Sequence, residues 1–300
     1  MAEEGIQFFN RYTGQIEREV VYGEKWLRFI LFNPFGKIAL HMAAKRAWFS
    51  RWYGWRMSGF SSKSRVKPFI ETYGIAEEEH VKRADEFTSF NDFFYRKLKP
   101  EARPVDEAED SVVFPADGRH LGFAKASEVE GVFVKGQQFN LERLLGDFDL
   151  AGRYADGAAV FSRLCPVDYH RFHFPVSGVP GNARLINGLL YSVNPLALRD
   201  RLSILWENKR YVTEIDTEEV GKVLVLEIGA TNVGSVNLTY VPTRPVKKGE
   251  EKGYFAFGGS ATFTIFEPGR VKLADDLLEQ SAQQRELYAK VGDYMGKIMA

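Results

Sequence analysis

The sequence predicts an α+β fold: a mostly antiparallel β core, preceded by an N-terminal helical, membrane-associating region and followed by a C-terminal helix. Three observations carry the prediction. From residue 111 onward, short runs rich in branched and aromatic residues alternate with turn residues, the pattern of successive strands. Before residue 100 the apolar residues recur at helical spacing. After residue 273, Leu277, Leu278, Leu287, Val291, Met295 and Ile298 approximate one helical face.

Residues 1–25 carry Glu3, Glu4, Glu17, Glu19 and Glu24 and no apolar run, so no secretory signal is expected. The most apolar stretch, "WLRFILFNPFGKIALHMAA" (26–44), holds Arg28, Asn33, Pro34, Gly36 and Lys37. A spanning helix needs about 20 mostly uncharged residues, so this one is rejected. Asn33-Pro34 should separate a pair of helices, the second over about 35–57 with Ile38, Met42, Trp48, Trp52 and Trp55 at roughly helical spacing. Between Lys25 and Lys67 lie ten basic residues, no acidic residue and four of the five tryptophans. That mixture suits a helix lying at a membrane surface, with rings at headgroup depth and cations on anionic lipid. A helical pair with a solvated basic face, or a single-strand nucleic-acid groove, would read alike. Residues 68–100 look helical, and the polar "EARPVDEAED" (101–110) marks a boundary. It separates an N-terminal region, 1–105, from a core, 106–300.

Within the core, "SVVFPADGRHLGFA", "AAVFSRLCP", "RFHFPVSG", "ARLINGLLYSVN", "VLVLEIGATNVGSVNLTYV" and "YFAFGGSATFTIFE" read as strands, and "NLERLLGD" as a helix. The last strand stretch is interrupted by Gly258-Gly259-Ser260. Glycines in a strand mark a bulge or bend; the alternative is that the Gly259–Ser260 bond is a reactant.

Lys plus Arg and Asp plus Glu both number 40, which gives no overall case for a nucleic-acid partner. Cys165 is the only cysteine, so an internal disulfide and a thiolate zinc site are excluded; a reducing compartment or a cytosolic face fits best. There is no phosphate loop, dinucleotide fingerprint or HExxH, and no metal site is expected. Two of the five histidines, His170 and His173, fall in "CPVDYHRFHFP". On a strand their opposite parity sends them to opposite faces, which argues against one shared metal and leaves two readings, separate tasks or a pair of ordinary hydrogen-bonded histidines. Asp117 in "PADGRH" reads as a hairpin turn with Gly118, or as the acid that orients a histidine. Asp117, His170 or His173, and Ser260 thus supply the residue types of a triad. The second Gly-Ser pair, Gly234-Ser235, competes with Gly259-Ser260, and spacing alone does not choose. A serine hydrolase or a non-enzymatic lipid-binding protein would also accommodate these residues.

Taken together, "FNDFFYRKLKPEARP" (90–104), "PADG" (115–118), "CPVDYHRFHFP" (165–175), "YSVNP" (191–195), "GATNVGS" (229–235) and "KKGEEKGYFAFGGS" (247–260) resemble the phosphatidylserine decarboxylases. The similarity is to the branch that cleaves at GGS, and it covers nearly the whole chain in the family's order. The resemblance implies that Asp117, His173 and Ser260 form a self-cleavage triad and that Gly259–Ser260 is the bond broken. Residue 260 would become a covalent pyruvoyl group, the electron sink as phosphatidylserine loses CO2 to give phosphatidylethanolamine. His170 resembles the family histidine of the decarboxylation step, as proton donor; Ser235 matches a core motif. Ala261 departs from the family's usual threonine, which bears on the speed of processing. The expected partners are phosphatidylserine, an anionic membrane surface and the precursor's own two chains, 1–259 and 260–300, with a homo-oligomer left open. The expected location is peripheral, on the cytoplasmic face of a membrane.

Overall fold

The computed structural model describes residues 6–19, 33, 47–129, 139–230, 236–256 and 260–299. Among them, ten strands form one sheet: β1 (Gln7–Asn10), β2 (Gln15–Arg18), β4 (Gly118–Phe123), β5 (Ala159–Leu164), β7 (Val179–Pro180), β8 (Arg184–Ile186), β9 (Arg210–Asp216), β10 (Lys222–Gly229), β13 (Ser260–Phe266) and β15 (Glu286–Ala289). Its order is β2-β1-β15-β4-β5-β13-β10-β9-β7, with β8 also paired to β9. Every pairing is antiparallel except β1 with β15. Two smaller antiparallel sheets accompany it. One is β11 (Val236–Leu238), β12 (Glu251–Phe255) and β6 (Arg171–His173). The other is β14 (Val271–Leu273), β16 (Tyr294–Ile298) and β3 (Ser111–Val113). The expected mostly antiparallel core is therefore present.

The helices are α1 (Ala47–Ser58), α2 (Val66–Tyr73), α3 (Phe90–Phe94), α4 (Leu141–Leu145), α5 (Phe148–Tyr154), α6 (Pro195–Asp200), α7 (Ile204–Glu207) and α8 (Asp275–Ala282). α4 to α7 cover one face of the large sheet. Their Leu144, Leu145, Tyr154, Leu198 and Leu205 join Leu224, Leu226, Phe263 and Ile265 in one apolar core. The other face meets α8 and the smaller sheets through Val160, Val225, Phe174 and Leu277. A third cluster belongs to the N-terminal helices, where Met57, Val66, Phe69, Phe87, Phe90, Phe93 and Phe94 pack together.

Three expectations are corrected. The helical reading of the tail holds only for α8. Beyond it, Leu287 lies on β15, Met295 and Ile298 lie on β16, and Gly292, at φ +89°, turns the chain between them. The apolar spacing of 287, 291, 295 and 298 fits a helix. Pairing of β15 with both β1 and β4, and of β16 with both β14 and β3, overrides it. Residues 68–100 contain only α2 and α3 as α-helix. Gly74 in the left-handed region (φ +59°) ends α2, and an isolated bridge between His80 and Leu98 folds the remainder back. Finally, β1 and β2 fall within 1–105, where only helix was expected; the hairpin adds to the main sheet beside β15. Of the helix expected over 35–57, residues 35–46 lie outside the described residues. Among the described residues, no helix is long and apolar enough to cross a membrane.

Candidate active site

Ser260 opens β13, the strand between β5 and β10, opposite Leu164 on one side and Gly229 on the other. It is fully buried, and its Oγ has no hydrogen-bond partner among the described residues. Gly259 and the rival Ser235 lie outside the described residues.

His173 ends β6. Its backbone N–H donates to the Pro115 carbonyl at 2.7 Å, which sets it beside the 115–117 segment. Its Nδ1 lies 2.8 Å from the Gly249 carbonyl. A carbonyl only accepts, so Nδ1 carries the hydrogen and Nε2 the lone pair. That Nε2 is buried and unpartnered among the described residues. Burial lowers the pKa of His173, so at neutral pH the ring is a free base. Gly249 is at φ +80°, and a Cβ there would come within 2.5 Å of Val105, so glycine is what lets this carbonyl reach the ring.

Asp117 is buried, and its carboxylate is held by neighbours other than His173. Arg103 donates Nε at 2.9 Å and Nη2 at 2.7 Å, and the Val291 N–H donates at 2.9 Å. No hydrogen bond joins Asp117 to His173; the carboxylate's charge nevertheless favours the protonated ring, opposing burial. Gly118 serves close approach rather than a hairpin turn, because a Cβ there would lie 2.5 Å from the Arg163 carbonyl.

His170 precedes β6 and has different surroundings. It is fully buried, its ring centroid 3.8 Å from that of Phe94. Nδ1 donates to the Asp168 carbonyl at 3.0 Å, and Nε2 has no partner among the described residues. Burial pushes its pKa down to about 3, so the resting ring is neutral with a bare Nε2. The turn that carries it is fixed by Asp168, whose carboxylate accepts from Arg119 at 2.5 Å and from the Cys165 N–H at 2.6 Å.

An apolar cluster draws these segments together. Ala116, next to Asp117; Leu164, opposite Ser260; Phe172, between the two histidines; and Phe255, on the strand running toward Ser260, pack against one another. The Phe255 N–H donates to the His170 carbonyl at 2.9 Å, and β12 pairs with β6. The structure thus brings the segments bearing Asp117, His170, His173 and Ser260 to one place. Sequence reading missed Arg103, Asp168 and Gly249. Arg103 lies in a polar stretch that reads as a boundary, Asp168 lies inside "CPVDYHRFHFP", and nothing local distinguishes Gly249.

The family model for phosphatidylserine decarboxylase matches residues 90–296. A protein named phosphatidylserine decarboxylase proenzyme from Fusobacterium nucleatum is 44% identical over 293 residues, 98% of each chain. Proteins of the same name from Chlamydia muridarum and Chlamydia pneumoniae are 44% and 42% identical, over 99% and 97% of each chain. A match of this length to the family model, with relatives alike from end to end, establishes that the chain belongs to the phosphatidylserine decarboxylase family.

Proposed function

We propose that the chain cuts itself between Gly259 and Ser260, and that the product decarboxylates phosphatidylserine to phosphatidylethanolamine at a membrane surface. The observation that supports this most is the pair of buried, unpartnered atoms Ser260 Oγ and His173 Nε2, carried by segments packed into one cluster. His173 Nε2 takes the hydroxyl proton, and the oxygen attacks the Gly259 carbonyl. The Gly249 carbonyl holds the tautomer that this transfer requires. Asp117, anchored by Arg103, supplies negative charge that favours the imidazolium once it forms. The C–N bond breaks and an ester remains, from which the pyruvoyl group of residue 260 develops.

Ser260 suits that group, since it is buried at the start of a strand and faces a glycine on β10. A pyruvoyl carbonyl supplies an electron sink for the pair released as CO2 departs. With Nδ1–H committed to Asp168, His170 offers a bare Nε2. It takes a proton from the substrate's ammonium and returns it to carbon after CO2 has left. This ordering refines a simple proton-donor role.

Self-cleavage would leave β13 in the chain 260–300, still paired along its length between β5 and β10 of the chain 1–259. The two products therefore stay together. Residues 1–105 provide the membrane contact, on the cytoplasmic face. Trp55 and Phe60 are 75% and 78% exposed, with Arg56 and Lys63 set against the rings of Trp52 and Phe60. Exposed rings beside cations suit anionic headgroups.

Intact mass and denaturing electrophoresis of active protein test the reading. Chains 1–259 and 260–300 are expected, the smaller blocked to amino-terminal sequencing. A single uncut chain in active protein would overturn it. For the membrane contact, replacing Trp55 and Phe60 with serine should weaken binding to anionic vesicles and leave cutting intact; unchanged vesicle binding would remove that surface from the proposal.

A further inference from the structure

β10 carries a charge at a position enclosed by strands on both sides and a sheet in front. Glu227 and Lys252 are both fully buried and joined by a hydrogen-bonded ion pair of 2.5 Å. Burial pushes the carboxyl pKa up and the amine pKa down, each opposed by its partner. An isolated pair of this kind seldom adds stability over apolar side chains of the same volume, so its presence calls for another reason.

Its placement supplies one. Glu227 lies directly opposite Thr262, and Gly229 opposite Ser260. Side chains alternate along a strand, so Glu227, Thr262 and Ser260 share one face. Gly229 puts no side chain between Glu227 and Ser260. Lys252 sits at the bulge between Glu251 and Gly253, where β12 pairs with His173 and Phe172. Only one Glu227 oxygen is used by Lys252. Oε2, Thr262 Oγ1 and Ser260 Oγ are buried without a partner among the described residues. Thr262 and Ser260 are two residues apart, roughly 6.6 Å along a strand. Glu227 and Thr262, directly across the strand pair, have Cβ atoms about 4.5–5.5 Å apart, so Oε2 and Oγ1 suit one bridging water beside Ser260, since buried waters typically make two to four hydrogen bonds.

Maturation consumes one water. After the ester forms, the Cα proton of residue 260 leaves to solvent and the Cβ–O bond breaks, freeing the Gly259 carboxylate. A proton moves from nitrogen to the terminal carbon, leaving a C=N group. Water adds to the carbon of the C=N group and ammonia departs, so the ketone oxygen comes from water. We propose that Glu227, anchored by Lys252, holds this water with Thr262 and so is a positioning residue for the hydrolytic last step of self-processing. The inference rests on the reading that the chain cuts itself at Ser260.

The test follows two products of one maturation reaction, chain cutting by electrophoresis and released ammonia. In the parent protein, ammonia should keep pace with cutting. In Glu227→Leu/Lys252→Met, which removes both charges together, cutting should persist while ammonia release lags by about tenfold or more, the scale of losing one charged hydrogen bond. The small chain should accumulate with NH in place of the ketone oxygen, visible by mass. Thr262→Val should show the same lag, smaller, and decides the matter if the double variant does not fold or cut. Ammonia in step with cutting in the variants that cut would overturn the role of Glu227 and leave self-cleavage standing. A parent protein that never cuts would defeat the underlying reading instead.

Discussion

The two faces of β13 are equally buried and chemically unlike. Toward α4 to α7 the strand presents Ala261, Phe263 and Ile265, all within the largest apolar cluster. Toward the smaller sheets it presents Ser260, Thr262 and Thr264, whose three hydroxyls have no partner among the described residues. The neighbouring strands continue this division. Leu224, Leu226 and Ile228 lie on the first face, while Glu227 and, on β5 and β4, Ser162 and His120 lie on the second. A strand held only by packing would be apolar on both sides. Under the proposed function the difference puts stability on one face and chemistry on the other, and that proposal can be tested one face at a time.

The largest effect falls on the polar face. Ser260→Ala should leave the chain whole and inactive with its thermal stability near the parent's, as electrophoresis and a melting curve would show. Cutting of a folded Ser260→Ala protein would end this assignment. His173→Ala should slow cutting by about a thousandfold or more, as loss of a general base does. His170→Ala should still cut yet decarboxylate poorly; exchanged phenotypes would exchange the two roles.

The apolar face should answer in stability instead. Phe263→Ala removes a ring packed between Phe161 and Phe139 and should cost about 3–5 kcal/mol in urea unfolding. A loss under about 1 kcal/mol would mean that this face does not carry the core.

Acid should act on buried histidines, one of them on the polar face. His120 donates Nε2–H to the Ala289 carbonyl and accepts from Ser162. Its pKa is pushed down to about 3, as is that of His170, and that of His80 to about 4, in each case mainly by burial. Unfolded histidines titrate near 6.5, so as pH falls the unfolded chain binds these protons first. Stability is therefore full above about pH 6.5 and is lost progressively down to pH 4 and below, by up to about 4 kcal/mol per pH unit if all three act together. Urea midpoints measured from pH 7.5 to 4.5 should fall steadily; a flat profile would show that these rings are not buried neutral.

Much of this was legible in the sequence, and the exceptions have physical causes. The strand runs of the core, and the residues Asp117, His170, His173 and Ser260, stood out from alternation and from motifs. The convergence of those residues did not, because it depends on long-range pairing: Ser260 meets Leu164, and β12 meets β6, across many intervening residues. The tail misled because its apolar spacing suits a helix while its neighbours offer unpaired strand edges. The Glu227–Lys252 pair left a trace, a lone charge inside "VLVLEIG", but a charge in an apolar run gains meaning only with its partner.

The smallest effect separates the hydroxyls from one another. Thr264 shares the face of Ser260 and Thr262 but lies deeper, opposite Val160 and Val225. Its Oγ1 has no partner among the described residues, and the carboxylate of Glu227 lies across from Thr262 rather than from it. An unmade hydrogen bond in an apolar setting costs free energy, and replacing the group by an apolar one of the same shape relieves that cost. Thr264→Val should therefore leave cutting and ammonia release in step and leave stability unchanged or raised by about 1 kcal/mol. Thr262→Val, one pleat closer to Ser260, should delay ammonia. If Thr264→Val destabilises the fold by about 1 kcal/mol or more, its hydroxyl has a partner in solution and the polar face extends further from Ser260 than the chemistry requires. If both valines behave alike, proximity to Ser260 does not distinguish the two positions, and the division between faces is one of packing alone.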